Sequence, residues 1–254
     1  MTRAVPRTSF HSSGLIRRLA DLGMVDVVEP GNAFAEKLGE WIHFADAITL
    51  SAVHGGGKAG TQSMQPEARC AAAAEIGNEF ERIRTFLITS ITRSFAPNSG
   101  RTHIQLPSLQ PELPMNFTTA YAPYRRFYEA HQRDMELSIR PLRTNTREAV
   151  GRASPSLRKL AELDAALETI LRDRESKLLL RVPALLRRRF EELFKEHQQQ
   201  LTDKQTSEDP AGWMQKGGWM ARFCNEMQML LLAEVEFRLQ PTMGLIEAFR
   251  QDTQ

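Results

Sequence analysis

Few side chains in this 254-residue chain stand in patterns that do chemistry. Gly55-Gly-Gly-Lys-Ala-Gly60 spells G-x-G-x-x-G, the string that cradles a dinucleotide's pyrophosphate. That chemistry needs a strand before the glycines and a helix N-terminus after them, aimed at the phosphates. Here a helical pattern precedes the glycines, and the next helix opens only at Pro66. Ala59 also stands where a phosphate-binding loop needs a hydroxyl for its metal. A flexible loop is the reading we adopt. Ser156-Leu-Arg-Lys159 matches the S-x-x-K of acyl-transfer enzymes, but the S-D-N and K-T-G elements they also use are absent. It reads as a first-turn serine and a surface lysine.

The remaining reactive groups are scattered. None of the six histidines pairs with another at metal-ligand spacing. His43 and Asp46 lie three apart on one helix, a spacing that suits a shared proton, a metal, or plain helix-surface hydrogen bonds. The last is expected. Cys70 and Cys224 lack a neighbouring His or basic cluster to create a thiolate nucleophile. The chain is therefore expected to be no enzyme, with no catalytic residue, no metal site and no cofactor.

A different pattern suits recognition. Arg126, Arg133, Arg140 and Arg147 recur every seven residues, which makes a slowly drifting stripe on one helix. Glu129 and Glu136 fall four residues before Arg133 and Arg140, the favoured order for ion pairs along a helix. The stripe reads either as a solvated, salt-bridged face or as a surface for an anion or acidic partner. Arg143, Arg187, Arg188 and Arg189 would extend it. Between Asn116 and Gln200 there are 17 Lys or Arg against 12 Asp or Glu, a mild excess. Tyr121, Tyr124, Phe127 and Tyr128 adjoin the stripe, either as core packing or as a stacking platform for bases. Trp213 and Trp219 are six apart, so on one regular helix they point about 120° apart. One is expected in the core and the other as an exposed anchor for a partner.

Helices must position all of these. Residues Ser154 to Lys204 form the longest periodic stretch, capped by Ser154 with Pro155 at the first helical position. Apolar residues step by three and four through Leu157, Leu160, Leu163, Leu167, Ile170 and Leu171, and resume at Leu178. The stripe drifts between Ile170 and Leu178, which favours bundle packing over a long coiled coil. Pro183 predicts a kink or break near Leu179 to Val182. Other helices are predicted at Ser9 to Leu22, Asn32 to His54, Pro66 to Phe95 and Asn116 to Arg152, the last kinked by Pro123 and Pro141. A final helix capped by Asp209-Pro210 is predicted to stop at Gln240 before Pro241, with a short helical tail after it. No strand alternation of useful length occurs.

The expected fold is all-α, a multi-helix bundle with long kinked helices and no significant sheet. Pro107, Pro111 and Pro114 mark a connector over 98–115. It divides an N-terminal helical region, 1–97, from a C-terminal long-helix bundle, 116–254, unless the whole is one continuous domain. Two separated cysteines give no disulfide framework and suggest a reducing, cytoplasmic compartment. The first residues show no signal peptide, and no apolar run approaches the roughly 20 residues of a membrane span. A net charge of +2 implies no nucleic-acid partner by itself.

Two stretches carry a resemblance. RTSFHSSGLIRRLADLG with FAEKLGEWIHFADAITLSA lies between Arg7 and Ala52. YRRFYEAHQRDMELSIRPLR, continuing to RVPALLRRRFEELF, lies between Tyr124 and Phe194. Together they resemble a proteobacterial family of uncharacterised proteins, domain of unknown function 3348. The resemblance covers most of the chain outside the loops and implies no catalytic residue. It also implies a gene neighbourhood with an ion-channel-like inner-membrane protein and an OmpA-like peptidoglycan-binding protein.

The expectation is a cytoplasmic, non-enzymatic helical scaffold that binds other proteins, among them a subunit of a membrane complex. The alternative is a nucleic-acid-binding helical protein that uses the arginine stripe and its aromatics. Self-association is a further expected possibility.

Overall fold

The computed structural model describes residues 14–24, 43–55, 64–96, 102–108, 115–205, 207 and 209–252. Its helices are α1 (Gly14–Asp21), α2 (Phe44–Gly55), α3 (Pro66–Phe95), α4 (Phe117–Ala153), α5 (Pro155–Leu179), α6 (Val182–Lys204) and α7 (Trp219–Asp252). A short 3-10 turn, Pro210–Gly212, precedes α7. No strand occurs among the described residues, so the fold is the all-α bundle that the periodicity predicts. The glycine-rich loop at 56–63, Trp41 and the predicted starts of the first two helices lie outside the described residues.

Local chemistry sets the helix ends. Pro66 and Pro155 sit in first turns, where the missing N–H costs nothing. Asn116 accepts from the backbone N–H groups of Thr118 and Thr119 at 3.0 and 3.3 Å and so caps α4. Ser154 ends α4 and caps α5, accepting from the Leu157 N–H at 3.3 Å. With a one-residue corner between them, α4 and α5 fold back on each other antiparallel. Asp46 accepts from the backbone N–H of His43 at 2.9 Å, which makes that pair a cap for α2.

The long segment breaks where Pro183 requires it. Helix α5 stops at Leu179, two turn residues follow, and α6 starts at Val182. The last helix departs from prediction at both ends. Asp209 caps the 3-10 turn, accepting from Ala211 N–H at 3.0 Å, and α7 starts only at Trp219. It then runs through Pro241 to Asp252. Pro241 faces solvent, while Leu239, Thr242, Leu245, Ile246 and Phe249 are buried on either side of it. Core packing on both flanks outweighs the one backbone bond lost at an exposed proline.

Helix α7 is the axis of the bundle and packs against α1, α3, α4, α5 and α6. One apolar core runs from Leu15 and Leu19 of α1 through Phe80 and Leu87 of α3 to Met227, Leu230 and Leu231 of α7. The described part of the connector, 102–108, belongs to it. Ile104 is buried, the Ser94 hydroxyl donates to its carbonyl at 3.0 Å, and the Tyr124 hydroxyl donates to the Pro107 carbonyl at 3.2 Å.

Candidate functional site

Helix α4 carries seven arginines, and its neighbours divide them into two sets. Arg125, Arg143 and Arg152 hold Glu129, Asp164 and Glu148 at 2.7, 2.6 and 2.9 Å. Arg147 holds both Asp164 and Glu168. Arg126, Arg133 and Arg140 are exposed and have no carboxylate within 4.0 Å among the described residues. The pairs predicted along the helix do not form. Glu129 is taken by Arg125 on its other side, and Glu136 faces the groove between α4 and α5. Three of the four stripe positions are therefore exposed cations, with Arg140 at the rim of the α4–α5 groove, while Arg147 is a fastener between helices.

Leu137 lies between Arg133 and Arg140 and is 68% exposed, more than any other large apolar side chain described. Sequence periodicity missed it because it stands outside the apolar stripe; an isolated leucine among arginines was the only signal. Pro141 is also exposed and has no N–H for the Leu137 carbonyl, so this turn shows both an apolar side chain and a backbone acceptor without its helical donor.

Of the other basic residues proposed to extend the stripe, Arg143, Arg187 and Arg189 are engaged elsewhere, while Arg188 on α6 is exposed and has no carboxylate within 4.0 Å among the described residues. Arg143 and Arg147 grip Asp164 and Glu168 across the α4–α5 interface, and Arg172 adds a contact to Glu168 at 3.2 Å. Burial pushes the Glu168 carboxyl upward. The Arg147 hydrogen bond, the charges of Arg143 and Arg147 and the Arg172 hydrogen bond outweigh it, leaving Glu168 below the usual carboxylate range. Arg187 pairs with Glu191 at 3.0 Å. Arg189 is buried and forms a two-pronged contact with Glu226 at 2.8 and 3.0 Å, locking α6 to α7.

Both tryptophans are core residues, contrary to the expected exposed anchor. Trp213 is 3% and Trp219 5% exposed. They are not on one helix, because Gly217 (φ +90°) and Gly218 intervene, and their rings meet edge to face at 5.4 Å. The aromatics beside the stripe are also buried. Tyr121 and Tyr124 pack on Phe190 and Phe223, and no face of Tyr121, Tyr124, Phe127 or Tyr128 is open for a base.

The centre of the bundle holds a carboxylate that the sequence did not single out. Glu234 is fully buried and accepts from the Tyr128 hydroxyl at 2.9 Å, from the Gln132 amide at 3.0 and 3.1 Å, and from the Arg238 guanidinium at 2.9 Å. Its only sequence signal was an acid inside the apolar run of α7. One turn away, His131 is 2% exposed, its Nε2 has no partner, and burial lowers its pKa to about 4. Burial likewise pushes the Cys224 thiol up to about 12, which keeps it protonated. Glu234 faces Tyr128, Gln132 and Arg238, and the His131 ring packs edge-on against Phe127 at 4.8 Å. A groove of about 90 Å³ beside them is lined by Glu136, Arg140, Arg143, Glu168, Arg172 and Arg238 among others, with charges of both signs. Among the described residues no three His, Cys, Asp or Glu side chains gather as a metal would need.

No curated protein and no solved structure matches the chain. One family profile, described as Protein of unknown function (DUF3348), matches residues 1–251. The match spans nearly the whole sequence, and the chain belongs to that family.

Proposed function

We propose that this chain is a non-enzymatic helical accessory protein that binds another protein through the outer face of α4. Its place in this proposal is the cytoplasmic side of a bacterial envelope-spanning, ion-channel-like complex. One observation carries the choice of face: Arg126, Arg133 and Arg140 are exposed without carboxylates around an exposed Leu137, while the other arginines of α4 are all paired. An exposed leucine flanked by two unpaired arginines supports a protein contact, since arginine is enriched at such interfaces. The membrane complex is suggested by the gene neighbourhood that the family resemblance implies. Among the described residues no helix is long and apolar enough to cross a membrane, and the proposed contact is made by a surface of this kind.

The test is site-specific photo-cross-linking in the native host. A photoreactive residue at position 137 is expected to capture a membrane-complex subunit. One at position 163, a 39% exposed leucine on α5, is expected to capture none. Equal capture from both positions, or none from either, would show that α4 is not the contact face.

The nucleic-acid alternative retains the same three arginines but not the aromatics once assigned to stacking. It requires affinity that falls steeply between about 50 and 200 mM salt. Binding absent at the lower salt removes it.

A further inference from the structure

We infer that the partner segment for α4 is an acidic amphipathic helix with carboxylates at seven-residue spacing around an apolar residue. This rests on the outer face of α4 being the contact surface, and adds what that surface reads. Arg126, Arg133 and Arg140 repeat every seven residues, a rise of about 10.5 Å along the axis between neighbours. A second helix repeats its side chains at the same distance, so Asp or Glu one heptad apart meets successive arginines in register. The stripe also drifts by about 20° per heptad, the sense that a left-handed crossing of two helices follows.

Charge complementarity selects the sign of the partner. Among the described residues the three guanidinium groups have no carboxylate within 4.0 Å, although Glu129 and Glu136 lie within four residues of them. Leu137 selects the character of the seam. At 68% exposure it stands between two of the arginines, where an apolar side chain of a partner helix would cover it. A phosphate backbone would leave that leucine facing charge. The Leu137 carbonyl, which Pro141 cannot serve, offers one acceptor to a polar side chain on the same partner. On α3 the exposed apolar residue is Phe86, 55% exposed, and the nearby Arg82 already lies 4.0 Å from Glu79. The groove there, between α3 and α4, is lined by Glu75, Glu79 and Glu148, and Arg152 already holds Glu148.

The test uses the full chain and a fluorescein-labelled 21-residue synthetic helix with Glu and Leu each repeated once per heptad. A control peptide has the same composition with the heptads scrambled, and binding is read by anisotropy at low salt. The heptad peptide is expected to bind about tenfold tighter than the scrambled one, and Arg133→Glu with Arg140→Glu to erase the difference. Leu137→Ser is expected to weaken the heptad peptide without affecting the scrambled one. Circular dichroism of the variants confirms folding, since all three positions are exposed. Equal affinity for both peptides, or no binding of either, overturns the proposal. A cross-link from position 137 combined with that result would keep α4 as the contact face while rejecting an acidic helix as its target. Binding of a 21-nucleotide single strand in place of the peptide, or mass doubling with concentration, would overturn it in favour of nucleic acid or a second copy.

Discussion

The side-chain amide of Gln132 donates to the Leu179 carbonyl at 3.2 Å, and that carbonyl is the one a residue at 183 would serve in an unbroken helix. Position 183 is proline, so α4 supplies across the interface the donor that α6 lacks. Tyr121 of α4 binds the other side of the break, donating to the Pro183 carbonyl at 2.6 Å. The corner between α5 and α6 is thus braced by α4 as well as by the backbone bonds of its own residues Leu180 and Arg181.

Gln132→Leu removes that donor and one contact to Glu234 while keeping the side chain's bulk. The expected loss is about 2 kcal/mol of unfolding free energy, from a buried carbonyl left unsatisfied. Urea denaturation measures it; a loss under about 0.5 kcal/mol would mean that water serves the carbonyl instead.

Glu234→Leu removes the acceptor shared by Tyr128, Gln132 and Arg238 and strands the buried Tyr128 hydroxyl, while Gln132 keeps only the Leu179 carbonyl. It is expected to cost about 3–5 kcal/mol. Combined with Tyr128→Phe it is expected to cost clearly less than the two single changes together, because the phenol loses its only reason to need an acceptor. A double-mutant cycle by chemical denaturation reads the coupling, and strict additivity would contradict the contact.

His131 makes folding acid-sensitive. Burial holds its folded pKa near 4, below the ordinary 6.5 of the unfolded chain. The neutral ring's contribution is complete above 6.5 and lost as pH falls from there toward 4, since the unfolded chain binds the proton first. The full effect is on the order of 3 kcal/mol. In His131→Phe the stability curve between those pH values is expected to be flatter than in the parent. An identical slope would show that other groups set it.

The paired and unpaired arginines should separate by stability. Arg126→Ala, Arg133→Ala and Arg140→Ala together are expected to change unfolding free energy by less than about 0.5 kcal/mol. Asp164→Ala, which takes the short contact from Arg143 and leaves Arg147 only Glu168 at a site 14% exposed, is expected to cost about 2 kcal/mol. Thermal melts of the two variants decide it; a larger loss from the triple change would place the stripe in the structural framework.

Gly218 admits no side chain. A Cβ there would lie 2.2 Å from the Trp213 carbonyl oxygen, a backbone atom that cannot swing away. Gly218→Ala is expected to cost about 2 kcal/mol or more and to disturb the near-ultraviolet signal of the packed Trp213 and Trp219. An unchanged signal would mean that the turn rebuilds easily.

What was legible in the sequence follows from the range of the forces involved. Asn116, Ser154 and the prolines at 66, 155 and 183 act within a few residues, and the helix ends they predict are where helices begin or break. Pro241 misleads because its local cost is met by distant contacts of Ile246 and Phe249. Glu129 and Glu136 mislead in the same way. Spacing permits their pairing along the helix, but a competing arginine and a groove decide where each carboxylate points. The two tryptophans fall on separate elements because the chain turns at Gly217-Gly218, a local turn signal that spacing along a regular helix ignores. Glu234 was invisible because its three donors come from residues up to 106 positions away.

Helix α7 fills the middle of the bundle yet follows every other described helix in the chain. During synthesis, α1 and α3 to α6 leave the ribosome with the apolar faces that α7 will cover still open to water. At about 5–20 residues per second, its 34 residues take several seconds to appear. Through that interval Phe80, Tyr128 and Phe190 have no central partner, and the nascent chain is a substrate for holding chaperones. A frameshift or cleavage anywhere before Trp219 would leave a sticky shell of helices around an empty axis, and the cell would see such a product as debris rather than as a shortened scaffold.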